Sequence, residues 1–185
     1  MLNAERILTT LDGQLDHAVS LVLYGRAAIA LGFANPPPET AASLDVDVIM
    51  RGSQMALIDE DTQFWQAHRA TNEALRDPGL YMTHLFMEDQ VFLRRSWEQH
   101  LVPIARPPMR WLQLSRPATV DLVLTKMMRG DDAQDMADVA FLIAHDRLTR
   151  ADLEAAFAEA VLPDIPELHD AFVRARPHIL ALAPG

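Results

Sequence analysis

The sequence contains no cysteine. A disulfide framework, a zinc site with thiolate ligands and a cysteine nucleophile are therefore excluded. No apolar run is long enough to span a bilayer, and the N-terminal stretch has no apolar signal-peptide core, so we expect a soluble cytoplasmic protein that is not associated with a membrane. The nucleophile elbow, the two-histidine zinc motif, the lysine-containing phosphate loop and the dinucleotide fingerprint are also missing from the sequence.

Positive charge is scarce as well. The chain has 16 Lys and Arg residues and 26 Asp and Glu residues, which gives a net charge of −10. Binding of nucleic acid depends mainly on cationic contacts to phosphate, so this balance does not favour a general DNA-binding or RNA-binding protein. Half of the 185 residues are hydrophobic, which is typical of a globular chain with a sizeable core.

Polar and apolar residues alternate over residues 43–50, Ser-Leu-Asp-Val-Asp-Val-Ile-Met. A period of two predicts a half-buried strand with Asp45 and Asp47 on one face and Leu44 and the two valines on the other. Two carboxylates at this spacing lie about 6 to 7 Å apart at their Cα atoms and can converge on one Mg²⁺ ion that also binds phosphates. The alternative is a strand with one solvated acidic face.

The stretch before this strand has three parts. Val19–Tyr24 is an apolar run that predicts a buried strand, Gly25 follows it, and residues 27–31 predict a short helix. A glycine at this position permits a positive φ or a close approach of the backbone to a ligand. An ordinary turn glycine is the alternative. Residues 32–43, which contain three consecutive prolines, predict a loop.

The remaining pattern predicts a small mixed sheet with flanking helices over residues 1–116, followed by a helical C-terminal region over 117–185 packed on this core. Helices are predicted over 4–16, 58–76, 119–129 and 133–145, and further strands over 80–87 and 109–114. Residues 88–101 fit either a strand pair or a short helix. The predicted helix caps are Gly130, Asp132, Thr149 with Asp152, and Asp164 with Glu167.

The order of these parts resembles the nucleotidyltransferase fold of the DNA-polymerase-β-like superfamily. Its signature is a Gly-Gly or Gly-Ser pair after an apolar strand, followed by two acids at i, i+2 on the next strand. Residues 121–138, DLVLTKMMRGDDAQDMAD, are similar to a segment of the AbiEii-like bacterial nucleotidyltransferases. The resemblance covers roughly residues 15–145 and implies an α/β core of the nucleotidyltransferase type.

The resemblance implies Mg²⁺-dependent transfer of a nucleotidyl group from an NTP to a protein, RNA or small-molecule acceptor, in a toxin–antitoxin setting with a protein partner. Six residues receive roles from it: Asp45 and Asp47 as catalytic metal ligands, Lys126 as a catalytic cation, and Gly25, Arg26 and Ser43 as nucleotide contacts. Backbone N–H groups at such a turn from strand to helix form an anion site.

Two departures from the family pattern leave a second interpretation open. Arg26 stands where the family has a small residue: it either supplies a cation to the triphosphate, crowds its pocket, or pairs with an aspartate of the strand without metal. Active members carry a third acid on a later strand, where this chain offers Thr83 and His84. We interpret His84 as a packed or hydrogen-bonded core histidine rather than a catalytic base. The alternative function is a catalytically degenerate module that senses nucleotide or binds a protein.

Four aspartates follow Lys126 closely, and an alternative to a catalytic role is that they begin a helix. Acids at helix caps and in the first turn are favoured by the helix dipole. The residues concerned are Asp131, Asp132, Asp135 and Asp138.

Overall fold

The computed structural model describes residues 1–184 and combines helices with two β-sheets, which confirms the predicted α/β (α+β) class. The strands are β1 (Val19–Tyr24), β2 (Asp45–Met50), β3 (Tyr81–Met87), β4 (Leu93–Arg94), β5 (Val102–Pro103), β6 (Leu112–Arg116) and β7 (Ala160–Val161). The helices are α1 (Asn3–Gln14), α2 (Gly25–Gly32), α3 (Gly52–Glu60), α4 (Thr62–Ala74), α5 (Thr119–Lys126), α6 (Ala133–Asp146), α7 (Arg150–Glu159) and α8 (Pro166–Leu182). No helix within residues 1–184 is long and apolar enough to cross a membrane.

The chain forms two compact units. The first contains Met1–Met87 and Val102–Arg116, and the second contains Glu88–Leu101 together with the chain from Pro117 onward. The structure therefore groups residues 88–101 with the helical unit, whereas the sequence pattern places them in the α/β core.

The first unit is built on a five-stranded mixed sheet with the strand order β3-β2-β1-β6-β5. β1 pairs antiparallel with β2 and parallel with β6, while β3 lies parallel to β2 at one edge. The apolar run of β1 is buried because the strand is central in the sheet, as its sequence predicts. Helices α1, α2 and α4 contact these strands.

Asp12 joins α1 to the start of β6. Its carboxylate accepts hydrogen bonds from the backbone N–H groups of Arg110, Trp111 and Leu112, at 2.9, 2.7 and 2.8 Å. Burial alone would raise the pKa of Asp12, but these bonds outweigh it and lower the pKa. This single side chain thus fixes contacts between segments about a hundred residues apart.

In the second unit, a buried ion pair holds β4 against α5. Asp121 is fully buried and accepts hydrogen bonds from the Arg94 backbone N–H at 2.9 Å, from its Nε at 3.1 Å and from its Nη2 at 2.8 Å. β4 also pairs with β7. These contacts explain why residues 88–101 pack with the helices, since an unpaired buried carboxylate would be strongly destabilising.

Three details of the predicted elements are wrong. Leu44 precedes β2 and is 53% exposed, so the buried face of the strand begins at Val46. The helix predicted over residues 58–76 is two helices, because Asp61 ends α3 and caps α4 by accepting the Phe64 N–H at 2.9 Å. Helix α8 begins at Pro166 without a side-chain cap from Asp164.

Candidate functional site

Asp45 and Asp47, hereafter the acid pair, lie on one face of β2 and are half-buried, while Val46 between them is fully buried. The Ser43 hydroxyl donates to Asp45 Oδ1 at 2.8 Å, and the Thr83 hydroxyl donates to Asp47 Oδ1 at 3.0 Å. Both carboxylates are therefore oriented by neighbouring hydroxyls. The alternation of the sequence produces this arrangement because the buried valines fix the opposite face of the strand.

The turn at Gly25 lies against the acid pair. Tyr24, the last residue of β1, is paired with Asp47 on β2. Gly25 then begins α2 with a φ of +63°, and a Cβ atom at this position would lie 3.0 Å from Asp47 Oδ2. Glycine is therefore required twice, by the left-handed backbone and by the close approach of the carboxylate.

The beginning of α2 is suited to an anion. Its N-cap residue, Tyr24, provides no side-chain cap, and the first N–H groups of a helix have no partner within the helix. Burial raises the pKa of the Tyr24 phenol, and the charges of Asp47 and Asp45 raise it further. The phenol therefore remains neutral beside the carboxylates.

A bulge in the pairing of β2 with β3 decides what faces Asp47. Val46 is opposite Met82 and Val48 is opposite Leu85, so that Thr83 and His84 both lie across from Asp47. The position that carries a third acid in the active members of the resembled family thus holds a hydroxyl and an imidazole. His84 is exposed, which makes its interpretation as a packed core histidine wrong.

The donor set of the acid pair fits one hard cation. Two carboxylates on one strand face can bind a single Mg²⁺ whose remaining ligands are phosphate oxygens and water. No group of three or more His, Cys, Asp or Glu side chains placed to hold a metal occurs in the part of the chain that the structure describes.

Arg26 lies in the first turn of α2, and among its contacts Nη1 donates to the Glu39 carbonyl at 3.5 Å. Its side chain thus reaches the 3-10 turn Pro38–Ala42, which leads toward Ser43. Gly25, Arg26 and Ser43 all belong to the first unit, as does the acid pair. The role of Gly25, Arg26 and Ser43 as nucleotide contacts remains a prediction.

Lys126 belongs to the second unit, where it is buried. Its Nζ lies 3.1 Å from Asp135 Oδ1 and 2.6 Å from Asp138 Oδ2. Arg129 adds a further hydrogen bond of 2.6 Å from its Nε to Asp135 Oδ2. Burial alone would raise the pKa of Asp135, but Arg129 and Lys126 outweigh it and lower the pKa. This geometry favours a structural role for Lys126; its catalytic role remains a prediction.

The interpretation of the four aspartates after Lys126 as caps or first-turn acids is confirmed for Asp132, whose carboxylate accepts the N–H groups of Gln134 and Asp135 at the start of α6. It is also confirmed for Asp135, which lies in the first turn of that helix. It is wrong for Asp138, which is a buried partner of the lysine. Asp135 and Asp138 follow the cap residue Asp132 by three and six positions, and this spacing places them on one side of α6. The sequence carries that signal but does not reveal which cation lies opposite.

Comparison of the chain with protein-family models, with characterised proteins and with solved structures finds no match.

Proposed function

We propose that the protein is a Mg²⁺-dependent nucleotidyltransferase that moves a nucleoside monophosphate group from an NTP to an acceptor. The observation that supports this most directly is the approach of the Asp47 carboxylate to Gly25, which brings a carboxylate pair and the beginning of a helix together at one turn. The acceptor is a protein, an RNA or a small molecule. The net charge of −10 favours a protein over a nucleic acid. On the basis of the resemblance to AbiEii-like nucleotidyltransferases, we further propose that the protein acts in a toxin–antitoxin system.

Each part of the site has a defined task in such a reaction. Asp45 and Asp47 would hold the Mg²⁺ ion, with Ser43 and Thr83 orienting their carboxylates through the hydrogen bonds described above. When bound, the ion neutralises charge on the phosphates. The N–H groups that begin α2 would receive phosphate oxygens. Catalysis of this kind consists mainly of positioning and charge stabilisation.

A second candidate function is favoured by Thr83. Its hydroxyl donates to Asp47 Oδ1 at 3.0 Å from the strand where a third acid would lie. A one-metal site of this composition can bind a nucleotide and its ion without activating an acceptor. In that case the protein senses nucleotide, or binds a partner protein, on a degenerate nucleotidyltransferase fold.

Calorimetric titration with ATP, GTP, CTP and UTP, with and without Mg²⁺, tests the site. The double variant Asp45→Asn/Asp47→Asn removes two charges but keeps the shape of the side chains. A matched control, Asp59→Asn/Asp77→Asn, removes the same charge from two exposed aspartates of the same unit. We expect binding that requires Mg²⁺ and that is lost in the first variant and kept in the control.

Two outcomes separate the candidates. Transfer of label from an α-phosphate-labelled NTP to a macromolecule or small acceptor, abolished in Asp45→Asn/Asp47→Asn, supports the transferase. Binding without transfer to any acceptor tested supports the nucleotide-binding module. Absence of binding for all four nucleotides in the wild-type protein would refute the transferase and the nucleotide sensor, and would leave only the module that binds a partner protein.

A further inference from the structure

Three aromatic side chains lie beside the acid pair. Tyr24 ends β1, and His84 and Phe86 lie on β3. The Phe86 ring centroid is 4.2 Å from that of His84 at an interplanar angle of 44°, and 5.6 Å from that of Tyr24 at 87°. These three side chains are called the ring row.

The ring row shares a face of the sheet with the acid pair. Tyr24 is paired with Asp47, and Phe86 is paired with Ile49, which is two residues further along β2. Residues two apart on a strand, and residues paired across strands, point to the same face. Since His84 is exposed and Phe86 is only half-buried, the row presents ring surface to solvent.

Within the ring row, Tyr24 and His84 lie level with Asp47. Phe86 alone lies beyond Asp47, at the end of the acid pair away from Asp45. β1 runs antiparallel to β2, so the chain that follows Tyr24 continues toward the Asp45 end. Ser43, hydrogen-bonded to Asp45, lies at that end too. Phe86 instead lies at the Ile49 end. A ligand whose phosphates lie near Gly25 and Asp45 would therefore extend its other part over the ring row.

We propose that the ring row stacks on the base of a purine nucleoside triphosphate whose phosphates are bound at the acid pair. This assignment rests on the proposed function and names the nucleotide that the site takes. Exposed aromatic faces stack on any base, and a purine covers more ring surface than a pyrimidine. Tyr81 is the other exposed aromatic residue of β3, with 44% exposure, but it is paired with Asp45 at the phosphate end. It therefore has no part in the stack.

Calorimetric titration with three magnesium complexes separates the base from the phosphates. The probes are Mg·ATP, Mg·CTP and Mg·tripolyphosphate, which has neither base nor ribose. The variants are Phe86→Leu, which keeps an apolar side chain, and His84→Ala, which changes an exposed residue and leaves the fold intact. Tyr81→Leu is the matched control, because it removes an exposed ring from the same strand. Circular dichroism and thermal unfolding check that each variant is folded.

We expect the wild-type protein to bind Mg·ATP more tightly than Mg·CTP or Mg·tripolyphosphate. Phe86→Leu and His84→Ala should each weaken Mg·ATP binding by roughly five- to 150-fold, the range observed for a lost stacking contact, and leave Mg·tripolyphosphate binding unchanged. Tyr81→Leu should change neither.

Several results would overturn the stacking assignment alone. One is an equal loss of affinity for Mg·ATP and Mg·tripolyphosphate in the ring variants, and another is no loss of affinity in either variant. The same holds if Tyr81→Leu loses as much affinity for Mg·ATP, or if the wild-type protein binds Mg·CTP as tightly as Mg·ATP. If Mg·tripolyphosphate binds and Mg·ATP binds no more tightly, the phosphate site stands and the stack does not. If neither complex binds, the proposed function itself fails.

Discussion

Replacing Gly25 by alanine perturbs the backbone and the acid pair at the same point. The native φ of +63° costs a residue with a side chain about 1 to 2 kcal/mol. The smaller entropy of the unfolded alanine chain offsets about 0.4 to 1 kcal/mol of this. The new Cβ would also lie 3.0 Å from Asp47 Oδ2, a carboxylate that Thr83 holds in place. Such overpacking typically costs about 1 to 3 kcal/mol.

Gly79 provides the matched control for this substitution. Its φ is +69°, close to that of Gly25, but nothing lies within 4 Å of the Cβ that alanine would add. Gly79→Ala should therefore show the backbone cost alone, a net loss of roughly 0.5 to 1 kcal/mol. Gly25→Ala should lose roughly 1 kcal/mol or more beyond that, because only its Cβ displaces the Asp47 carboxylate.

Urea unfolding of both variants, followed by titration of each with Mg·ATP, measures the two effects separately. We expect Gly25→Ala to lose both stability and nucleotide affinity, and Gly79→Ala to keep the wild-type affinity. Equal destabilisation by the two substitutions, together with unchanged affinity in Gly25→Ala, would refute the reasoning that links this turn to the acid pair.

Two further predictions concern charged groups outside the acid pair. Lys126→Met removes the cation that the buried Asp135 and Asp138 share, with Arg129 still bound to Asp135, and should destabilise the protein by about 3 to 5 kcal/mol in urea unfolding. A loss below about 1 kcal/mol would contradict the buried ion cluster. The hydrogen bonds that His17 donates to Asp16 and Asp61 raise its pKa. Their stabilising contribution is fully present below the unfolded pKa of about 6.5 and is lost as pH rises through the raised folded-state pKa. His17→Gln should remove this part of the pH dependence of the urea midpoint, and an unchanged profile would exclude it.

Local patterns were sufficient for the elements that carry the acid pair. The apolar run Val19–Tyr24 is β1 with the predicted bounds, and the alternation around Asp45 and Asp47 is β2. Caps at Asp132 and Thr149 are also as predicted, because a cap depends on residues no more than three positions away. Apolar runs, alternation and helix caps can each be recognised from a few consecutive residues, without knowledge of distant contacts.

Features that depend on distant residues could not be predicted in this way. The two-residue strand β4 exists because it pairs with β7, more than sixty residues further along the chain. The position of His84 depends on the bulge opposite Asp47, which no local period indicates. The helix predicted through Asp61 shows the same limit. Helical periodicity continues across this residue, although it ends one helix and its carboxylate caps the next.

The path of the chain through the two units has a consequence for the order of folding. β1, the central strand, pairs with β6, and Asp12 binds backbone groups at residues 110–112. The first unit therefore cannot be completed during synthesis until residue 116 has emerged, and by then residues 88–101 of the second unit are already present. Contacts so distant in sequence raise the contact order and slow the folding of a domain. A fragment ending at Met87 would expose one edge of β1 and aggregate.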